Sequence, residues 1–112
     1  PDISEEINQI SACDKALLLD YKAQLLFPRK EYDNAIKKYK KAIALMEDYH
    51  KTNTADARSA NLLSNLHNNL STAYLFRKKR KEAVTELKTA FAVRREYVPA
   101  ADTYTCKYAG AE

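Results

Sequence analysis

Apolar positions recur every three or four residues along almost the whole chain, the spacing of one face of an α-helix. The series Ile3, Ile7, Ile10, Cys13, Leu17, Tyr21 and Leu25 marks a long first helix. Asp2 followed by Glu5 forms a capping-box pattern at its start, and Pro28 disfavours helical geometry at Phe27 and ends it. A second helix is expected from about Lys30 to His50, with Tyr32, Ala35, Ile36, Tyr39, Ala42, Ile43 and Met46 inward. The stretch 51–54 reads as a connector whose Thr or Asn caps the next helix. A third helix follows over roughly Ala55 to Arg77, burying Ala60, Leu63, Leu66, Leu70, Ala73, Tyr74 and Phe76. The fourth runs from about Lys79 to Tyr97 on Ala83, Val84, Leu87, Ala90, Phe91 and Val93, until Pro99 breaks it. Residues 100–112 are expected to hold a short fifth helix, and no stretch alternates as a strand does.

The pattern repeats. A shift of 48 residues carries Ala23 onto Ser71, Leu26 onto Tyr74, Ala35 onto Ala83, Ile36 onto Val84 and Tyr39 onto Leu87. It also carries Ala42 onto Ala90, Ile43 onto Phe91 and Ala44 onto Ala92. Small residues where two helices cross let the backbones approach, while large ones a turn away fill the gaps. The predicted organisation is therefore an all-α fold of antiparallel helix hairpins. Residues 1–13 form an N-terminal extension, 14–50 a first repeat, 54–97 a second, and 99–112 a C-terminal stub.

The series Ala23, Leu26, Tyr32, Ala35, Tyr39 and Ala42, with Ser71, Tyr74, Ala83, Leu87 and Ala90, resembles the tetratricopeptide repeat family over residues 14–97. The unit is longer than the family's usual ~34 residues, and Lys30 and Lys78 stand where a turn Gly is common. The segments 68–74 and 92–96 are similar to the longer repeats of kinesin light chain. Residues 21–43 are also similar to a subunit of the anaphase-promoting complex from this family. The resemblance implies hairpins stacked as a right-handed superhelix whose first helices line a concave groove. By that resemblance the groove residues are Leu17, Asp20, Tyr21, Gln24 and Phe27, then Asn65, Asn68, Asn69, Thr72 and Leu75.

Asn disfavours helix interiors because its amide competes for backbone hydrogen bonds. Three Asn within residues 65–69 therefore suggest amides offered to the backbone of a bound peptide. Some family members clamp a chaperone's C-terminal carboxylate with a Lys and two Asn. Asn69 matches one Asn and Gln24 replaces the other, but Asp20 stands at the Lys position and would repel a carboxylate.

Composition narrows the chemistry. The 112 residues suffice for one small domain, and a single Gly excludes the P-loop and the dinucleotide fingerprint. No apolar run approaches a membrane span. His67 has no carboxylate or Cys at ligand spacing, and His50 with Glu47 supplies two ligands where zinc needs three or four. His67 reads as a half-buried helix residue and His50 as a solvated helix end. With neither a nucleotide motif nor a metal-ligand set, no cofactor is expected; Cys13 and Cys106 lie far apart, which suits reduced thiols in an intracellular, cytoplasmic setting. No signal peptide pattern precedes the first helix.

The net charge of +4 resides in residues 77–112, where nine Lys or Arg face five Asp or Glu. Arg77, Lys78, Lys79, Arg80 and Lys81 form one basic run at the turn between helices three and four. Such a run reads as a solvated turn, or as a site for an acidic protein, nucleic acid or nuclear import. No aromatic residues interleave with it to stack on bases. Lys37, Lys38, Lys40 and Lys41 read as a solvent face. The sequence thus points to a non-catalytic module binding a protein or peptide partner. The alternatives are the basic turn as the binding site and burial of the concave face against a second copy of the chain.

Overall fold

A computed structural model describes residues 3–53 and 56–97, with side chains from Ala12 to Glu96. Four helices account for most of these: α1 (Ile3–Gln24), α2 (Tyr32–Thr52), α3 (Ala57–Phe76) and α4 (Arg80–Tyr97). No strand occurs among the described residues, so the fold is all-α. The Asp2–Glu5 cap, Thr54, Pro99, the fifth helix and Cys106 lie outside the described side chains.

Helices α1 and α2 form one hairpin, α3 and α4 a second, and α3 also packs on α2. Antiparallel order in the second hairpin follows from two buried hydrogen bonds. Ser71 Oγ donates to the Ala83 carbonyl at 2.8 Å, and Ser64 Oγ donates to that of Ala90 at 3.0 Å. Moving back seven residues on α3 moves forward seven on α4. A hydroxyl can reach a helical carbonyl only where side chains are small enough for close contact, and Ala83 and Ala90 supply that. The residues 48 earlier, Ala16, Ala23, Ala35 and Ala42, are all fully buried in the first hairpin. The core also contains Cys13, Ile36, Tyr39, Ile43, Met46, Tyr49, Leu63, Leu66, Leu70, Ala73 and Tyr74.

The two turns share one hydrogen-bond pattern. Lys30 N–H donates to Phe27, Glu31 to Leu26, and Ala35 to Glu31; Lys78 donates to Leu75, Lys79 to Tyr74, and Ala83 to Lys79. Each bond recurs 48 residues later. Lys30 and Lys78 take φ of 59° and 61°, the left-handed conformation that ends a helix and favours Gly.

Several expected boundaries and faces are corrected. Helix α1 ends at Gln24, and residues 25–30 form the turn rather than its last helical residues. Lys51 and Thr52 belong to α2, and Asn53 closes that helix by donating its side-chain amide to the Tyr49 carbonyl at 3.0 Å. The N-cap of α3 is Asp56, whose carboxylate accepts from Ser59 N–H at 2.8 Å while Ser59 Oγ accepts from Asp56 N–H. Tyr21, Leu25, Phe76, Val84 and Phe91 are exposed instead of core. Leu25 lies in the turn, Phe76 at a helix end, and Val84 and Phe91 on a face of α4 that no described helix covers.

Two stability outcomes are expected in urea unfolding. Leu66→Ala, at a fully buried site, should cost about 2–5 kcal/mol, whereas Phe91→Ser should stay within about 0.5 kcal/mol. Equal losses would contradict the assignment of the two faces.

Candidate functional site

The groove residues inferred from the resemblance divide into three places. Gln24, Phe27, Asn69 and Thr72 come together with Tyr39 around a cavity of about 230 Å³ between α1 and α3. Leu17 lies further back, half-buried beside Cys13, Asp14, Arg58 and Leu62. Asn65 and Asn68 lie on the other side of α3, in a hollow shared with Leu87, Ala90, Phe91 and Arg94 of α4. Tyr21 and Leu75 are exposed. The Asn residues thus do not form one row: Asn69 faces α1, and the other two share a hollow with α4.

Asp20 organises the first place. Its carboxylate is buried and accepts from the side-chain amides of Asn69 at 3.0 Å and of Gln24 at 3.2 Å. A buried charge needs such donors, because desolvation would otherwise cost several kcal/mol. Two amides that the sequence suggested for a ligand therefore serve an acid within the chain: that of Gln24 braces it within α1, and that of Asn69 ties α1 to α3. The phenol of Tyr39 is pushed up to about 12, first by burial and then by the Asp20 carboxylate, so it stays protonated as a potential donor. Tyr39 read as core from the sequence; its place in the cavity wall depends on which ring edge is left uncovered, and periodicity does not carry that.

Beside the cavity, Phe27 meets Tyr32, Tyr39 and Phe76 edge-on with centroids 5.6, 6.4 and 5.7 Å away. Tyr32 and Phe76 stack face to face at 5.0 Å. This cluster joins the first turn and the start of α2 to the end of α3, long-range contacts that local pattern does not signal.

The basic run lies in the α3–α4 junction. Arg77 Nε donates to Asp33 at 2.9 Å, and Lys78 holds the left-handed turn position. Lys79, Arg80 and Lys81 are exposed. Of the second-helix lysines, Lys37, Lys40 and Lys41 are exposed, and Lys40 also sits over the Tyr74 ring at 5.9 Å.

Both histidines are engaged, contrary to the expected solvated and half-buried readings. His67 is buried, with Nδ1 2.7 Å from Glu86 Oε1 and Nε2 without a hydrogen-bond partner among the described residues. Its carboxylate comes from the facing helix, which is why sequence spacing did not show it. His50 Nε2 lies 2.9 Å from Ser59 Oγ, joining the end of α2 to the start of α3. Burial holds the His50 imidazole below its ordinary value, against the opposing pull of Asp56 and Glu47. Burial also pushes the Cys13 thiol up, with Arg58 working the other way, so it is a poor nucleophile.

Among the described residues no three His, Cys, Asp or Glu side chains group as metal ligands. No described helix is long and apolar enough to cross a membrane. Comparisons with family models, with curated proteins and with solved structures give no match.

Asn69→Ala should lower stability by about 1–3 kcal/mol, because Asp20 loses one of two donors while buried; an unchanged unfolding midpoint would contradict the contact. A separate outcome concerns pH. An imidazole harder to protonate when folded contributes stability that is complete above its unfolded value of 6.5 and declines as pH falls toward the folded value. His50→Gln should flatten the decline in melting temperature below pH 6.5; a profile of unchanged slope would assign the acid sensitivity elsewhere.

Proposed function

We propose that this chain is a non-catalytic, tetratricopeptide-like module that binds an extended protein segment along its α1–α3 face. The observation that carries this reading is the hollow of Gln24, Phe27, Tyr39, Asn69 and Thr72. It combines aromatic walls with side-chain amides and a hydroxyl, a lining suited to a peptide backbone and one apolar side chain. Exposed Tyr21 and Leu75 extend that face with apolar surface. Support for the repeat class comes from the turn hydrogen bonds and small-residue contacts that recur at 48 residues. The two hairpins would stack in the sense of a right-handed superhelix, with α1 and α3 inward.

Asp20 gives the face its preference. Its carboxylate lies behind the two amides, so a peptide carrying a free carboxylate end would meet negative charge there, and an internal segment would not. The basic turn acts in this reading as a solvated junction, with Arg77 engaged by Asp33.

Selection of random peptides displayed on phage, followed by amide chemical-shift mapping, tests the proposal. Binders should perturb Gln24, Phe27, Asn69 and Thr72, and Leu75→Lys should weaken them about tenfold, or 1.4 kcal/mol, with melting unchanged. Perturbations confined to residues 77–81, with affinity falling steeply in salt, would replace the proposal with an electrostatic surface.

A further inference from the structure

The internal repetition identifies a second surface, independent of the α1–α3 face. On α2 the residues Tyr32, Ile36, Tyr39, Ile43 and Met46 form one stripe, and α3 packs against that helix. Their equivalents 48 residues later are Arg80, Val84, Leu87, Phe91 and Arg94 on α4. These five fall on one side of the helix, since steps of four and three residues return to nearly the same angle. Ile36 and Ile43 are each 7% exposed, whereas Val84 and Phe91 are 50% and 66% exposed. The two helices differ in their neighbours: among the described residues α2 packs against α1 and α3, and α4 against α3.

The α3 side of this surface repeats as well. Asp20 of α1 receives the Asn69 amide, and Asn68 stands 48 residues after Asp20, exposed beside Leu87, Phe91 and Arg94 around a hollow of about 160 Å³. A helix lying here as α3 lies on α2 would find three apolar contacts and an amide.

Charge decides the kind of helix. The stripe on α2 ends in Tyr32 and Met46, but the stripe on α4 ends in Arg80 and Arg94. Neither arginine has an ion-pair partner among the described residues. A second copy laid antiparallel on this stripe would bring Arg80 against Arg94 at both ends, which like charges oppose. Residues 98–112 contain no Leu, Ile or Phe and one Gly, a poor match to the Leu63, Leu66 and Leu70 of α3. We propose that the open face of α4 docks an amphipathic helix of another protein, with apolar residues on one stripe and an acidic residue one turn beyond each end. Burial of the apolar centre would supply affinity, and the two arginines would set register and partner choice.

The probe is a synthetic, roughly 20-residue helical peptide with three Leu on one stripe and Glu one turn beyond each end, compared with its Lys-ended twin. Binding to the full chain is followed by fluorescence anisotropy, with circular dichroism confirming that each variant keeps its helices. The Glu-ended peptide should bind about tenfold more tightly than the twin, and Phe91→Asp should abolish binding. Joint Arg80→Glu and Arg94→Glu substitution should reverse the preference. Equal affinity for the two peptides, or binding that survives Phe91→Asp, would overturn the proposal. So would a dimer in sedimentation that Phe91→Asp dissociates, or nuclear Overhauser contacts from Phe91 to residues 98–112 in the free chain. Those outcomes would give the face to a second copy or to the chain's own C-terminal segment.

Discussion

Close approach of paired helices at small residues is the constraint on which this fold depends. In the second hairpin it is made visible by two serine hydroxyls that reach carbonyls across the helix interface, Ser64 to Ala90 and Ser71 to Ala83. In the first hairpin the equivalent positions are alanines without measurable exposure. A larger side chain at any of them would prop the helices apart and open voids around Tyr39, Met46, Leu66 and Leu70, the largest fully buried side chains. Each hydroxyl bond contributes only about 0.5–1.5 kcal/mol. Its greater effect is on register, because a slip of one residue would bury the hydroxyl without an acceptor.

Once each hairpin is fixed, the join between them has different chemistry. Helices α1 and α3 are tied by the Asp20 carboxylate and the Asn69 amide, α2 and α3 by His50 with Ser59, and the first turn and the start of α2 to α3 by rings. Apolar burial within hairpins is supplemented by polar and aromatic contacts between them. Such contacts are directional, so they set the angle at which one hairpin sits on the next and hence the shape of the α1–α3 face. The same directional logic explains why Asn69 is half-buried and engaged while Asn65 and Asn68 remain exposed.

Much of the fold was legible in the chain because helix and small-residue periodicities are local. The four helices lie close to where the apolar stripes place them, and Lys30 and Lys78 were recognisable as turn positions that usually take Gly. What failed was information carried by neighbours. Val84 and Phe91 match the buried Ile36 and Ile43 by pattern, yet burial also requires a covering helix, and a stripe cannot state whether one is present. Asp20 read as a groove acid that would repel a carboxylate, and His67 as a residue without a carboxylate at ligand spacing, because Asn69 and Glu86 stand 49 and 19 residues away. The cap of α3 was misplaced for a smaller reason: Asp56 and Ser59 make the reciprocal pair, and Ser is a less familiar third residue of that motif than Glu.

Two hairpins of one design, nested at equivalent small residues, are what the account requires. Nuclear Overhauser spectra of the intact chain test this directly. Side-chain contacts are expected at both crossings of both hairpins: Ala16 with Ala42 and Ala23 with Ala35, then Ser64 with Ala90 and Ser71 with Ala83. Contacts in one hairpin but not at the matching positions of the other would contradict it.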